Sequence, residues 1–307
     1  GRAAPALAGL GLMEHLELKP RSLARCAVPS APDGATSLSV CTYNLLCPTY
    51  ALKWKEQQGL HAEGTSNWSV RWPVMKDIIL RGNFDVLCLQ EVESTEADAI
   101  AADLGPDYVT RYFKHPPKRP PDGVMIAVKK SCCKAAPSWS EHDYKGFVIF
   151  GGAEFQHHSG ARVRVANGHM RGFNQEQLRE FGAFGTSGTW DLQILTADFN
   201  EDFQTESGVR CPFPEEYTTL RRPADLPQVS RPPNKQEAGQ SSGKGKIDYI
   251  WVRDTQDKPQ LFFDEASKRA IIESHRNCEE TGEWPSDHGC EACSIRLSPK
   301  PWWQFWK

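Results

Sequence analysis

The sequence predicts an α/β protein built from two packed, mixed β-sheets flanked by helices, a four-layer α/β sandwich. Short apolar runs of strand length alternate along the chain with stretches whose apolar residues recur at helical spacing. Nine strand-like runs and at least three helical stretches fit two sheets that pack face to face with helices outside them. Such an architecture does not by itself specify a chemistry.

The predicted strands share a short run of apolar residues. They are residues 37–46, 84–90, 108–113, 124–128, 147–155, 162–166, 192–196, 247–252 and 290–297.

Helices are predicted over residues 70–80, 94–104 and 175–184. The first contains Pro73, which a helix tolerates in its first turn. The second opens with Ser94, a residue type suited to a helix N-terminus, and places its apolar residues at helical spacing. These helices are expected to cover the outer faces of the sheets.

Composition excludes several classes of protein. The 307 residues include 36 Lys and Arg against 39 Asp and Glu, a net charge of −3, so the chain does not coat nucleic acid through bulk positive charge. Every apolar run is far shorter than a membrane-spanning helix requires. Ten cysteines are too few for a disulfide scaffold, which indicates a reducing compartment and favours a cytoplasmic location.

The chain is expected to have one folded domain, residues 36–298, and to act as a monomer. Residues 1–35 are expected to form a disordered leader or the remnant of a targeting segment, and the second alternative implies an organelle. Residues 299–307 form a tryptophan-rich tail. Residues 203–245 carry several prolines and are predicted to be a long loop of mobile or functional character.

Polar residues of related chemistry lie at or just past the ends of predicted strands. They are Asn44, Glu91, His169, Asp198, Asn200, Asp248, Asp287 and His288. Because strand ends meet at one edge of a sheet sandwich, we expect these groups to share a cleft. Carboxylate and amide oxygens suit Mg²⁺ or Mn²⁺ better than zinc, and such an ion neutralises phosphate oxygens and activates water. Asp248 with His288 is a candidate acid–base pair.

Six short motifs follow one another in this part of the chain. They are residues 41–51 (CTYNLLCPTYA), 84–93 (FDVLCLQEVE), 121–123 (PDG), 198–200 (DFN), 247–251 (IDYIW) and 285–288 (PSDH). In this order they resemble the endonuclease/exonuclease/phosphatase superfamily and, within it, the branch of carbon-catabolite-repressor-type deadenylases, angel proteins and nocturnin. The resemblance covers residues 38–297. It implies a deoxyribonuclease-like sandwich and a Mg²⁺-dependent hydrolase of phosphoric esters.

The resemblance implies roles for two groups that bind. Asn44, Glu91 and Asp287 look like ligands of the metal ion, with Glu91 the central one. Asp122 lies in the Asp-Gly element that the family places beside the substrate. Arg171 lies where nocturnin has a basic residue directed toward a nucleotide phosphate.

It also implies roles for the residues that carry the reaction. His169 resembles the histidine that contacts the scissile phosphate. Asp198 and Asn200 resemble the pair that positions the attacking water and a phosphate oxygen. Asp248 looks like the partner of His288, and the choice of general base between Asp198 and His288 stays open at this point.

These observations favour a 3′-to-5′ RNA exonuclease of the deadenylase type that binds an RNA 3′ end. The alternative is a phosphatase acting on a small nucleotide such as the 2′-phosphate of NADP(H), because residues 170–174 lack the proline that deadenylases carry there. A third alternative, a binding module without catalysis, conflicts with the intact set of polar residues. No leucine-rich repeats precede the motifs, so docking to a leucine-rich-repeat scaffold is not expected.

Overall fold

A computed structural model describes residues 36–58, 67–117, 121–172, 174–205, 208–213, 217–220, 225–227, 247–255, 259–275 and 285–297. The predicted leader and the tryptophan-rich tail lie outside these ranges, as does most of the predicted loop 203–245. Within the described ranges every helix is too short or too polar to cross a lipid bilayer.

The elements follow one another in this order: β1 (Thr36–Asn44), α1 (Pro48–Gln58), α2 (Trp68–Gly82), β2 (Val86–Glu93), α3 (Ala97–Leu104), β3 (Tyr108–Lys114), β4 (Asp122–Lys129), a 3₁₀ turn (Lys130–Cys132), β5 (Ser138–Tyr144), β6 (Val148–Gln156), β7 (Arg162–His169), α4 (Gln175–Thr186), β8 (Leu192–Asp198), β9 (Gln204–Thr205), β10 (Gly208–Val209), β11 (Asp248–Asp254), β12 (Gln260–Phe262), α5 (Glu265–Ser274) and β13 (Glu291–Leu297).

Two mixed sheets form the framework. The six-stranded sheet has the strand order β12-β13-β1-β2-β4-β3, and the five-stranded sheet has the order β11-β8-β7-β6-β5. Each sheet contains one parallel pair, β1 with β2 in the first and β7 with β8 in the second, whereas their other pairs are antiparallel. The predicted sandwich of two mixed sheets with helices is therefore confirmed.

The alternation of side chains along β1 shows how the layers form. Leu38 and Val40 belong to an apolar cluster that also contains strand residues of the five-stranded sheet, whereas Cys41 and Tyr43 pack in a second cluster with residues of α2, α3 and α5. Successive side chains of a strand point to opposite faces, so one face of β1 packs between the sheets and the other packs under helices. A third cluster, with Phe181 of α4, covers the outer face of the five-stranded sheet.

The sequence pattern missed several elements. Strand β5 was not predicted because its sequence, SWSEHDY, is polar, and an edge strand with one neighbour needs little apolar surface. Helices α1 and α5 were not predicted either. The predicted strand 37–46 ends at Asn44, because Leu46 has a left-handed backbone (φ 50°), and the predicted helix 94–104 begins at Ala97.

Candidate active site

The ends of β1, β7 and β8 and the start of β11 meet at one edge of the two sheets. In the five-stranded sheet His169 lies opposite Asp198, and Asp198 lies opposite Asp248 in the strand register. In the six-stranded sheet Asn44 lies opposite Gln90, one residue before Glu91. We call this edge the polar rim; it comprises Asn44, Glu91, His169, Asp198, Asn200, Asp248, Asp287 and His288. The structure thus brings together the strand-end residues that the sequence singled out.

Asn44 connects the carboxylates of the two sheets. Its Nδ2 donates to Glu91 Oε1 at 2.9 Å and to Asp198 Oδ2 at 3.0 Å. Its Oδ1 accepts a hydrogen bond from the Leu46 backbone N–H at 2.9 Å. Asn44 is fully buried, so these bonds fix the amide orientation. The amide nitrogen of Asn44, not its oxygen, therefore faces the carboxylates, and its role as a metal ligand stays a prediction.

Glu91 lies in an irregular part of β2. The pairing of β2 with β4 shifts register between Leu89 and Val92, and Glu91 has a left-handed backbone with φ of 53°. A bulge of this kind re-aims a side chain, and a non-glycine residue at positive φ costs on the order of 1–3 kcal/mol. The Cys47 backbone N–H donates to Glu91 Oε2 at 3.2 Å. Burial, and next the charge of Asp287, raise the pKa of Glu91 to about 7.

His288 forms a buried ion pair with Asp248. Its Nδ1 lies 2.8 Å from Asp248 Oδ2, and its Nε2 lies 3.7 Å from Asp198 Oδ2 and 3.9 Å from Asp287 Oδ1. Burial lowers the pKa of this imidazole, but the surrounding carboxylates, Asp248 first, outweigh burial and hold the pKa well above its usual range. The carboxylates thus favour the protonated form of His288, and its Nε2 lies toward Asp198.

His169 and Asn200 complete the five-stranded side of the polar rim. His169 Nε2 lies 3.8 Å from Glu91 Oε1 and 3.6 Å from Asp198 Oδ2. Asn200 has φ of 52°, and its backbone N–H donates to Asp198 Oδ1 at 2.8 Å. Burial raises the pKa of Asp198, although His288 acts in the opposite direction. Each oxygen of Asp198 thus accepts a hydrogen bond, and the Nε2 atoms of two histidines lie within 4 Å of Oδ2.

The two predicted substrate residues occupy different surroundings. Asp122, at the start of β4, is fully buried, and one of its oxygens lies within 4.8 Å of a ring nitrogen of His115 and of His169. Arg171 is exposed, and its guanidinium lies 5.0 Å from the centre of the Phe147 ring, whose exposed fraction is 39%. A cation over an aromatic face at this distance is a favourable contact. Asp122 is thus part of the interior, and Arg171 lies on the surface.

The polar rim has the donor set of a divalent cation site. Within the described residues, two sets of three rim side chains have ligand atoms within 4.8 Å of one another. They are Glu91, His169 and Asp198, and Asp198, Asp248 and His288. Asp287 helps to raise the pKa of Glu91, and a cation bound at this place would offset that repulsion. Oxygen donors dominate, so the residues present fit a hard ion.

Arg71 of α2 holds two backbone segments that carry rim residues, a role that the sequence pattern did not predict. Its side chain is almost fully buried and donates to the backbone oxygens of Leu45 at 2.8 Å, Leu46 at 2.6 Å and Pro285 at 2.9 Å. These bonds join the segment after Asn44 to the segment that carries Asp287 and His288. Burial lowers the pKa of Arg71. An arginine inside a helical pattern gives no local signal of such a role.

A second missed feature is the polar link between the sheets beneath the rim. Asn167 of β7 donates from Nδ2 to the backbone oxygens of Leu89 and Met125, each at 3.0 Å, across to the six-stranded sheet. Its Oδ1 accepts from Gln90 Nε2 at 2.6 Å, and Gln90 also donates to Thr42 Oγ1 at 2.8 Å. Two buried amides so bonded fix the position of one sheet against the other.

Comparisons with known proteins identify the fold. No family model matches the chain, and no curated protein matches it in sequence. Among solved structures, ANGEL2, described as a 2′,3′-cyclic phosphatase, superposes with a TM-score of 0.60 at 17% identity, covering 86% of this chain and 96% of its own. An endonuclease/exonuclease/phosphatase family protein from Bacteroides thetaiotaomicron gives 0.59 at 17% identity, covering 87% and 97%. The human Nocturnin catalytic domain gives 0.55 at 15% identity, covering 85% and 95%. The chain therefore has the endonuclease/exonuclease/phosphatase fold, as the motifs predicted.

Proposed function

We propose that the chain is a metal-dependent phosphodiesterase that cleaves phosphodiester bonds by attack of water, with residues 36–298 as its catalytic domain. The observation that carries the proposal is the rim geometry, in which Asn44 joins Glu91 to Asp198 while His288, paired with Asp248, lies 3.7 Å from the same Asp198. Acidic groups, imidazoles and amides so arranged match the needs of phosphoryl chemistry: charge neutralisation, a proton acceptor and a proton donor.

Mg²⁺, with Mn²⁺ as a substitute, is the proposed cofactor. Glu91 and Asp287 would hold it, and Asn44 would keep Glu91 oriented through the Nδ2 bond at 2.9 Å. When bound, such an ion neutralises phosphate oxygens and lowers the pKa of water. Asp287 lies close enough to raise the pKa of the buried Glu91 carboxylate, which is why a cation at this place would be favourable.

The protonation of His288 indicates how the remaining roles divide. A protonated ring has no lone pair at Nε2, so His288 serves as the acid and as a positive charge beside the phosphate, and Asp198 serves as the base. Asp198 takes the proton of the attacking water, whose oxygen bonds to phosphorus. The bond from phosphorus to the 3′ oxygen breaks, and that oxygen takes the proton from His288 Nε2. His169 and Asn200 lie beside the phosphate.

The proposed substrate is the 3′ end of RNA, shortened one nucleotide at a time. Arg171 and Phe147 support a nucleotide ligand, because a cation beside an exposed aromatic ring offers contacts to a phosphate and to a base. ANGEL2 has also been solved in complex with adenosine-2′,3′-vanadate, which shows that this fold holds a nucleoside with a phosphate analogue in that protein. We place the protein in the cytoplasm; Cys41, Cys47 and Cys88 are buried thiols outside any disulfide.

The experiment incubates a 5′-labelled RNA of twenty nucleotides ending in adenosines with the protein and Mg²⁺. A ladder that shortens from the 3′ end, absent with Glu91→Gln and retained with Glu141→Gln, supports the exonuclease. Glu141 is an exposed carboxylate on β5 and serves as the matched control. RNA left intact by the wild-type protein contradicts the exonuclease activity. Release of phosphate from NADP(H) in a parallel reaction would then support the nucleotide phosphatase.

A further inference from the structure

Two buried polar side chains, His115 and Asp122, form a group with His169 of the polar rim. His115 follows β3 and Asp122 begins β4, and the backbone N–H of His115 donates to the backbone oxygen of Asp122 at 3.0 Å. One ring nitrogen of His115, one of His169 and one oxygen of Asp122 lie within 4.8 Å of one another. Their exposed fractions are 2%, 8% and 0%. Buried ionisable groups require defined partners, so the hydrogen atoms of this group are constrained.

The contact to Ile149 fixes the tautomer of His115. The Ile149 backbone N–H donates to His115 Nδ1 at 3.1 Å. A backbone N–H only donates, so Nδ1 must offer a lone pair, and the ring is neutral with its proton on Nε2. A nitrogen that carries a proton cannot bind a metal ion. His115 therefore meets Asp122 as a hydrogen-bond donor, and the three residues are not a second metal site.

Asn200 fixes the tautomer of His169 in the same way. Asn200 Nδ2 donates to the Met170 backbone oxygen at 3.1 Å, which sets the orientation of the amide. The same nitrogen lies 3.3 Å from His169 Nε2, which must accept. The neutral ring of His169 then carries its proton on Nδ1. Of the three residues, only Asp122 has acceptor atoms to offer that proton.

We propose that His115 is a positioning residue that acts on His169 through Asp122. The Nε2–H of His115 and the Nδ1–H of His169 are directed to the Asp122 carboxylate across a bridging water, which fits ligand atoms that lie within 4.8 Å of one another. This arrangement sets the ring orientation of His169, whose Nε2 lies 3.8 Å from Glu91 Oε1 and 3.6 Å from Asp198 Oδ2. The predicted effect on rate rests on the proposed phosphodiesterase activity. The assignment of the two tautomers does not depend on that activity.

The first test reads the tautomers without any turnover. Long-range proton–nitrogen NMR of the protein with ¹⁵N-labelled histidine, assigned with His115→Gln and His169→Gln, distinguishes the two neutral forms. The expected result is a proton on Nε2 of His115 and on Nδ1 of His169. A proton on Nε2 of His169, or on Nδ1 of His115, overturns the proposal, because the chain of donors would then run the other way.

The second test measures the rate with and without the donor. His115→Leu removes the Nε2–H, and His115→Gln places an amide N–H near the same point. With RNA and Mg²⁺ we expect kcat of the Leu variant to fall about 10–100-fold at nearly constant KM, and the Gln variant to recover most of it. His157→Leu, which removes another buried histidine, controls for the loss of packing and is expected to keep kcat.

Equal kcat values for the wild type and His115→Leu would overturn the proposal, as would a Gln variant no better than Leu when both show the wild-type Tm. Loss of one bound metal ion per chain in His115→Leu would also overturn it, since His115 would then be a ligand. A wild-type protein that cleaves no RNA contradicts the proposed function alone, because the NMR result stands independently of activity.

Discussion

The two sheets supply the polar rim in different ways. The five-stranded sheet presents His169, Asp198 and Asp248 in direct register at the ends of ordinary strands. The six-stranded sheet presents Glu91 from a bulge with φ of 53°, next to a segment in which Leu46 has φ of 50°. Regular pairing thus positions these three residues of the five-stranded sheet, with a left-handed backbone only just beyond β8 at Asn200, whereas the six-stranded sheet presents Glu91 itself from a strained backbone.

The difference in backbone accompanies a difference in charge. On the six-stranded side burial and Asp287 raise the pKa of Glu91 to about 7, so this carboxylate is costly to ionise without a cation. On the five-stranded side Asp248 and His288 form an ion pair, in which the charge of each side chain balances that of the other. Strain and uncompensated charge thus coincide at Glu91, the proposed metal ligand, whereas Asp248 on the regular strand β11 has its charge balanced by His288.

The largest expected effect is that of Glu91→Gln on turnover. The substitution keeps an oxygen for Asn44 but removes the charge that holds the ion, and we expect kcat/KM on RNA to fall about 10³-fold or more. Initial rates at several Mg²⁺ concentrations measure this. A variant that retains a tenth of the activity at saturating Mg²⁺ would show that Glu91 is not the main ligand.

The same variant is expected to be more stable than the wild type at pH 8 in the absence of metal. Glu91 has a raised folded-state pKa, so its contribution to stability is present below its ordinary value of 4.5 and is lost as the pH rises to about 7. We expect Glu91→Gln to gain about 1–2 kcal/mol at pH 8 and nothing near pH 4, read from urea unfolding with chelator. An equal or lower stability at pH 8 would contradict the uncompensated charge.

On the five-stranded side, Asp248→Asn is expected to lower activity about 10²-fold or more. The amide cannot hold the imidazolium of His288, whose pKa is raised chiefly by Asp248, so the ring loses its proton at a lower pH. The alkaline limb of the pH–rate profile should therefore move toward lower pH in the variant. An unshifted alkaline limb with reduced kcat would show that His288 is not the acid.

Arg71→Met tests the support of the strained side. The variant keeps the length of the side chain but leaves the backbone oxygens of Leu45, Leu46 and Pro285 without their donor. We expect a loss of about 3 kcal/mol in the free energy of unfolding, measured with urea. Arg111→Met, at an exposed position of β3, is the control and should change stability by less than about 0.5 kcal/mol.

The smallest expected effect is that of Arg171→Ala. Arg171 is exposed and its guanidinium contacts the Phe147 ring, so the variant loses contacts to substrate but none within the polar rim. We expect KM for RNA to rise about 5-fold at constant kcat, measured by steady-state kinetics. A fall in kcat with constant KM would mean that Arg171 acts in the transition state.

The sequence allowed the residues at the strand ends to be predicted, Glu91 among them, but not the strained backbone that presents Glu91. Asn44, Asp198 and Asp248 follow or begin runs with clear apolar alternation, so strand ends could be located from local pattern. The bulge at Glu91 and the reach of Arg71 across 214 residues to Pro285 depend on contacts between distant segments. No local pattern encodes such contacts, which is also why the polar edge strand β5 escaped prediction.

Calorimetric titration of the protein with Mg²⁺ at pH 6 and pH 8 tests most directly the proposed cation site at Glu91 and Asp287. Since protons compete with the ion for Glu91, whose pKa is about 7, we expect Mg²⁺ to bind about 10-fold more weakly at pH 6 than at pH 8. Glu91→Gln is expected to bind weakly at both pH values. Equal affinity at the two pH values, or unchanged affinity in Glu91→Gln, would contradict a cation site at Glu91.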